Sequence, residues 1–423
     1  DPATGARSEL LRETDAAWLN LDQDVPAWLP GGDGFLWTSE RSGEWQLEVR
    51  NADGSLRRTV TPEGFHYGGL QHVASDGKTA WVLGADNALD RHVYRIALDG
   101  SGQPEPLTSG PGRHAVEVAS DGSLAVITAD IGDGAERWTV RGADGSTRGE
   151  LVSKAEHPTF PLHTEYVTVD GVAEDDPELP FHALILRPAD FEDGRRYPVI
   201  LHVYGGPHNQ MVVRDGSRFL LDQWIADQGY VVVVADGRGT LNRGRAWERA
   251  IKHDFISLPL GDQSTILQQL GKRYDELDLD RVGVYGWSFG GYFSAMAVMR
   301  RPDLFQAGVA GAPVTDWQDY DTHYTERYIG HPDEQPEAYR RSNVTTYAAD
   351  LERPLLIVHG TADDNVYFVH GLKMSHALFA AGKAHDFLPL SGQTHMVAAP
   401  LFVEQWHQRM MEHFAEHLQP TAD

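Results

Sequence analysis

Val282-Gly283-Val284-Tyr285-Gly286-Trp287-Ser288-Phe289-Gly290-Gly291-Tyr292-Phe293-Ser294-Ala295-Met296-Ala297-Val298 decides the reading of this chain. It opens as an apolar run, passes through G-x-S-x-G at 286–290 and continues as a helix-forming stretch. Strand, tight turn and helix are the setting of a nucleophile elbow, where a sharp turn holds a serine in strained backbone geometry with its oxygen exposed. The glycines leave room for the chain to close and for the helix to pack. Ser288 is therefore the candidate nucleophile. A bare G-x-S-x-G also arises by chance as a structural turn, and it is the flanking strand and helix that separate the two cases.

Outward from the elbow, apolar runs alternate with helical segments from about residue 155 to the end. The strand candidates are Thr164–Asp170, Phe181–Leu186, Val199–Tyr204, Tyr230–Ala235, Val282–Gly286, Ala307–Gly311, Leu355–His359 and Asp386–Leu390. The middle runs are continuous rather than alternating, as parallel strands buried on both faces require. Strands alternating with helices imply a doubly wound, mostly parallel sheet. A serine elbow after a central strand narrows this to an α/β-hydrolase.

In that fold the triad runs serine, acid, histidine, the last two after later strands. The acid should follow Leu355–His359, where the loop Gly360-Thr361-Ala362-Asp363-Asp364-Asn365-Val366 offers two adjacent carboxylates that spacing cannot separate. The histidine should follow Phe387–Leu390, which selects His395. His385 lies before that strand, His376 in the intervening helix, and His407, His413 and His417 in the terminal helix. The oxyanion needs donors aimed at the developing charge. The backbone N–H of Phe289 is one. The loop Val203-Tyr204-Gly205-Gly206-Pro207 should supply the other, and Tyr204 has a hydroxyl to give.

The first 150 residues read differently. Asp-Gly pairs begin at 33, 53, 76, 99, 121 and 144, with one more at 133 outside the series. Asp33, Asp76 and Asp121 precede strands, whereas Asp53, Asp99 and Asp144 are each followed by Gly-Ser and close strands. Within each series the period is 43 to 46 residues, the length of a four-stranded propeller blade. Asp-Gly suits the tight turns between blade strands, although generic hairpins use it too. Three blades do not close a propeller, and an open set leaves apolar edges unpaired. The expected organisation is an all-β partial β-propeller of about three blades over 1–155, then a hydrolase domain over 156–423.

Composition narrows the function classes. The chain has 423 residues, 41% of them hydrophobic, enough for a large core and two or three domains. A net charge of −26 disfavours nucleic acid and anionic membrane surfaces as partners. Without cysteine there is no disulfide, thiolate catalysis or zinc-thiolate site, and no compartment is indicated. No apolar run approaches the roughly 20 residues of a membrane span, and no stretch reads as a signal peptide. The chain opens on Asp1 rather than methionine, which reads as a processed or truncated product. His413-Phe414-Ala415-Glu416-His417 matches H-x-x-E-H but has too little chain after it for a third metal ligand, so it reads as the polar face of the last helix. Asn343-Val344-Thr345 is a glycosylation triplet of a kind common by chance. No metal or cofactor is called for.

Four stretches in order, Gly-Trp-Ser-Phe-Gly-Gly-Tyr at 286–292, Ala-Pro-Val-Thr-Asp-Trp at 312–317, Tyr-Thr-Glu-Arg-Tyr at 324–328 and His-Gly-Thr-Ala-Asp-Asp-Asn-Val at 359–366, resemble the prolyl oligopeptidase family of serine peptidases, in its dipeptidyl peptidase IV branch. The resemblance implies Asp363 as the acid and Tyr204 in the oxyanion hole. It implies a proline pocket of Val314, Trp317, Tyr320, Tyr324 and Val366, with Asn365 binding the carbonyl of the substrate's first residue. A flat aromatic slot of that kind suits a compact ring. The implied activity is release of N-terminal Xaa-Pro or Xaa-Ala dipeptides from peptides with proline at the second position. A homodimer and a periplasmic or secreted location also follow from the resemblance.

Two departures stand out. Phe289 replaces the branch's usual tyrosine, with no cost to a backbone N–H donor. The branch binds the substrate's amino terminus with a Glu-Glu pair, and this chain has no Glu-Glu dipeptide. The chain thus reads as the C-terminal portion of a longer enzyme whose upstream propeller segment carries that pair. Two other readings compete with a dipeptidyl aminopeptidase. One is an acylaminoacyl or oligopeptidase-type hydrolase without the amine site. The other is an inactive hydrolase-fold scaffold, against which the intact Ser288, Asp363 and His395 argue.

Overall fold

The computed structural model describes residues 3–142, 144–170 and 180–419. The chain divides into two compact units, one of Asp1–Pro161 with Val213–Leu220 and Asn242–Ala246, the other of Leu162–Val212, Leu221–Leu241 and Trp247–Asp423.

The first unit holds three four-stranded antiparallel sheets. Each aspartate of the two Asp-Gly series falls between consecutive strands of one sheet. The aspartates act as turn caps: Oδ1 of Asp53, Asp76, Asp99, Asp121 and Asp144 each accepts the N–H two residues on, at 2.8 to 3.1 Å. This Asx geometry is why aspartate recurs there. In strand Thr79–Gly84, Ala80 and Val82 pack into one core cluster with Leu36 and Val49 of the first sheet. The alternate residues Trp81 and Leu83 pack into a second cluster with Val116 and Ile127 of the third sheet. The two-residue period of a strand thus buries both faces of the middle sheet. The third sheet's outer strand, Thr147–Leu151, is exposed along its whole length.

The excursions at 213–220 and 242–246 join this unit through its acidic side chains. Asp130 accepts the N–H groups of Gly216 (3.1 Å) and Ser217 (3.0 Å), Arg214 pairs with Asp90 at 2.5 Å, and Arg245 pairs with Asp15 at 2.5 Å.

The second unit is built on eight strands, numbered within it as β1 Thr164–Val169, β2 Phe181–Leu186, β3 Tyr197–His202, β4 Val231–Asp236, β5 Leu277–Trp287, β6 Phe305–Gly311, β7 Leu355–Gly360 and β8 Asp386–Leu390. The sheet order is β1-β2-β4-β3-β5-β6-β7-β8. The β1–β2 and β2–β4 pairs are antiparallel and the other five are parallel. This is the α/β-hydrolase sheet, and all eight expected strands are in it. Every residue of β4 and β7 is buried, which explains their unbroken apolar runs. The helices that matter for the site are α1 Phe289–Arg300, α2 Thr322–Ile329, α3 Val369–Ala380 and α4 Pro400–Leu418. Among the described residues, no helix is long and apolar enough to cross a membrane.

His413 corrects one expectation. It is buried rather than on a polar outer face, and burial pulls its pKa down to about 4. Its ring lies 4.7 Å from that of His417, and no group of three or more metal-capable residues occurs among the described residues.

Candidate active site

Ser288 stands between β5 and α1 with φ +62° and ψ −117°. Such a conformation costs a non-glycine residue about 1–3 kcal/mol and persists only where its surroundings hold it. They do so here. The Ser288 N–H donates to the Gly311 carbonyl of β6 (2.8 Å), and its own carbonyl accepts from Tyr292 (3.0 Å) in the first turn of α1. The three glycines around it have no space for a side chain. A Cβ on Gly286 or Gly290 would lie 2.2 Å from the Val203 carbonyl oxygen, and one on Gly291 would lie 2.0 Å from that of Gly311. Ser288 is half-buried, and among the described residues its hydroxyl makes no hydrogen bond. Catalytic contacts in unliganded sites commonly tighten only with substrate.

The loops after β7 and β8 bring Asp363 and His395 together. His395 Nδ1 donates to Asp363 Oδ2 at 2.8 Å. Asp363 Oδ1 accepts the backbone N–H groups of Asn365 (3.0 Å) and Val366 (2.8 Å). Burial pushes the Asp363 carboxyl up, but hydrogen bonds from His359, His395 and Asn365 outweigh it and hold the group well below the usual carboxylate range. It is thereby kept ionised, as an orienting acid must be. The neighbouring Asp364 is exposed and, among the described residues, accepts only the His395 N–H, at 3.4 Å. The indole N–H of Trp287 donates to the His395 carbonyl (2.9 Å), tying that loop to the elbow. The histidines set aside by position have other partners: His385 meets Ser375 at 2.8 Å and His407 the Val403 carbonyl at 2.6 Å.

Tyr204 and Phe289 also come together. Their rings are 5.7 Å apart, and a Cβ on Gly206 would meet the Phe289 ring at 2.5 Å, so the loop after β3 packs on the start of α1. Burial raises the Tyr204 phenol to about 12, with Tyr320 adding to the rise. It therefore remains a donor across the working range.

Two aspartates organise the aromatic residues. Asp316 accepts the Gln318 N–H (3.1 Å) to start the turn Trp317–Asp319, and Asp321 accepts the Tyr324 N–H (2.9 Å) to start α2. Trp317 and Tyr324 then stack at 6.1 Å, and Tyr320 stands edge-on to both, at 5.6 and 5.5 Å. The Tyr320 hydroxyl donates to Asn365 Oδ1 at 3.2 Å, joining this cluster to the Asp363 loop. Trp317, Val314 and Val366 are buried, whereas Tyr320 and Tyr324 are partly buried, the Tyr324 hydroxyl fully so.

A model of the prolyl oligopeptidase family matches residues 219–421, and one of the dipeptidyl peptidase IV N-terminal region matches 1–130. Dipeptidyl peptidase 8 of Homo sapiens is 40% identical over 242 residues, 56% of this chain and 27% of that protein. A probable dipeptidyl-aminopeptidase B of Coccidioides posadasii (strain C735) is 32% identical over 389 residues, 87% of this chain and 42% of that protein. The crystal structure of Porphyromonas gingivalis dipeptidyl peptidase 4 superposes with a TM-score of 0.84 at 27% identity, over 93% of this chain and 55% of that one.

The chain is a dipeptidyl peptidase IV-like member of the prolyl oligopeptidase family. It spans only 27% to 55% of the length of these relatives.

For this prolyl oligopeptidase family member, the sequence reading missed three residues at the site. Phe255 packs on Phe289 (5.3 Å) and Trp317 (4.6 Å) at the base of the aromatic cluster. Tyr328 extends the cluster 5.0 Å beyond Tyr324. Its place one helical turn on was available as an i, i+4 pair in Tyr-Thr-Glu-Arg-Tyr. Phe255, far from the motifs in sequence, gave no such signal. His359, inside a quoted motif, lies fully buried beside Asp363.

Proposed function

We propose that this chain carries the catalytic machinery of a serine exopeptidase that releases Xaa-Pro or Xaa-Ala dipeptides through an acyl-enzyme. Ser288 is the nucleophile, His395 the general base and Asp363 the orienting acid. The observation that carries the reading is the 2.8 Å bond from His395 to Asp363, formed between the loops of adjacent strands, with the Trp287–Ser288 elbow tied to the same loop. Ser288 Oγ attacks the scissile carbonyl as His395 Nε2 takes its proton, while Asp363 stabilises the imidazolium. The oxyanion is received by the Phe289 N–H and the Tyr204 hydroxyl. His395 then protonates the leaving amine, and water resolves the acyl-enzyme by the same route.

The partly buried Tyr320 and Tyr324 beside buried Trp317, Val314 and Val366 support a pocket for a proline ring, with Asn365 available to the first residue's carbonyl. In this reading residues 1–155 are about three blades of a propeller, 156–423 form the catalytic domain, and further blades belong upstream. The exposed apolar side chains Leu372 and Phe379 on α3 and Leu401 on α4 support pairing of two copies.

The absence of a Glu-Glu dipeptide favours one second reading, a post-proline hydrolase that does not require a free amino terminus. Chromogenic Ala-Pro and acetyl-Ala-Pro substrates separate the two when this chain is compared with one extended upstream, and the Ser288→Ala variant of this chain tests the nucleophile. The variant should retain the parent's melting temperature and less than about 1% of its activity, given the thousand-fold or larger losses on triad removal. Residual activity above that rejects Ser288 as nucleophile. Equal turnover of the blocked substrate by the chain extended upstream selects the second reading, since residues 1–423 lack the Glu-Glu pair on either reading.

A further inference from the structure

His359 is the penultimate residue of β7, four residues before Asp363, with a fully buried side chain. Its Nε2 lies 2.8 Å from the Val366 carbonyl oxygen and 3.4 Å from Asp363 Oδ2. A carbonyl only accepts, so the proton must sit on Nε2. One N–H therefore faces both ends of the 363–366 loop, giving its main bond to Val366 and a weaker share to the carboxylate. The opposite nitrogen, Nδ1, has no hydrogen-bond partner among the described residues. It is roofed by the first turn of α3, where a Cβ on Gly371 would come within 2.9 Å of it. That turn is itself anchored. His370 Nδ1 accepts the Thr315 N–H (3.1 Å), and the His370 carbonyl accepts the Thr315 hydroxyl (3.0 Å). Thr315 follows Val314 in the turn after β6.

We propose that His359 is a positioning residue for catalysis: from the floor of the site, its Nε2–H fixes the Asp363 carboxylate together with the loop that carries Asn365 and Val366. The inference rests on Ser288, Asp363 and His395 being the triad. With it, Asp363 is faced by four donors, namely His395 Nδ1, His359 Nε2 and the N–H groups of Asn365 and Val366. That number of donors leaves its lone pairs filled and one orientation available. The other titratable or charged groups around this cluster are Asp364 beside His395, Tyr320 across the loop, His370 on α3, and Lys373, Asp316 and Asp319 near His370.

The test is His359→Leu, which fills the space without a donor, beside His359→Gln, which restores an N–H. Loss of a donor makes the Asp363 carboxylate more basic and stabilises the His395 imidazolium, so the acidic limb of kcat/KM should move to higher pH in His359→Leu. Turnover should fall on the order of tenfold, the scale of a hydrogen bond to a charged group. His359→Gln should return both toward the parent. A role confined to packing would lower the melting temperature and leave the limb in place. An unmoved limb overturns the proposal, whatever happens to kcat. Should the leucine variant not fold, ¹⁵N-histidine NMR of the unaltered chain decides: a proton bound to His359 Nε2 supports the proposal, and its absence overturns it. Ser288→Ala is assayed in parallel. If that variant stays active, the triad reading itself fails. If it is dead and the limb is unmoved in His359→Leu, only the inference fails.

Discussion

Glycine serves opposite purposes in the open turns of the first unit and at the elbow of the second. In open blade turns such as those at Gly122 and Gly145 it is chosen for its backbone, whereas Gly54 also leaves no room for a Cβ, which would lie 1.7 Å from the Leu10 carbonyl oxygen. Gly122 and Gly145 have φ of +70° and +77°, and a Cβ there would meet nothing closer than 3.7 Å at Gly122 and nothing within 4 Å at Gly145. At the elbow, Gly286, Gly290 and Gly291 are chosen for lacking a side chain, with backbone oxygens 2.0 to 2.2 Å from where a Cβ would stand. The first unit is assembled from repeated local turns that each satisfy themselves. The second brings together atoms from distant parts of the chain, so one extra carbon is a global fault.

The comparison is most exposed to Gly290→Ala. The added carbon would force α1 away from β3, at a cost above about 4 kcal/mol. Loss of soluble, cooperatively folding protein is the expected result. A variant melting within a few degrees of the parent breaks the contrast.

Next comes the aspartate pair. Asp363→Asn should reduce kcat/KM on the order of a thousandfold or more, because an amide cannot hold His395 in the required tautomer. Asp364→Asn, altering an exposed side chain, should cost less than about tenfold, as surface changes do. The reverse ranking in steady-state kinetics would show that the adjacent carboxylate orients the base.

Tyr204→Phe should lower kcat about a hundredfold with little change in KM, the loss typical of one oxyanion donor. Since burial raises this phenol to about 12, ionisation removes its proton only near that pH. The parent should therefore show no Tyr204-dependent alkaline limb near pH 10. Such a limb, absent from the phenylalanine variant, would mean the hydroxyl is not buried as described.

Gly122→Ala should have the smallest effect. There is room for the methyl group, so only the left-handed backbone is strained, at about 1 kcal/mol. Thermal melts should shift by a few degrees and kcat not at all. A shift as large as that at Gly290 would erase the distinction between the two uses of glycine.

Much of this molecule could be read from short-range pattern. The Asp-Gly spacing marks the blade turns because an Asx cap and a left-handed glycine are complete within three residues. Unbroken apolar runs mark the buried strands because burial on both faces admits nothing else. Gly-Trp-Ser-Phe-Gly marks the elbow because a turn that tight excludes side chains two residues before and two residues after the serine.

Other features were decided only in three dimensions. Asp363 and Asp364 are alike in sequence, and the path of one loop turns the first inward to His395 while leaving the second in solvent. Phe255 acquires its place from residues far along the chain, and His359 from the loop that folds back over it. His413 faces inward because of how α4 docks, and the 213–220 and 242–246 segments join the first unit through Asp90, Asp130 and Asp15. The physical reason is common to all of these. Steric and turn preferences act over a few residues and are written locally, whereas burial, hydrogen-bond partners and the ionisation they control depend on which distant atoms the fold brings within about 3 Å.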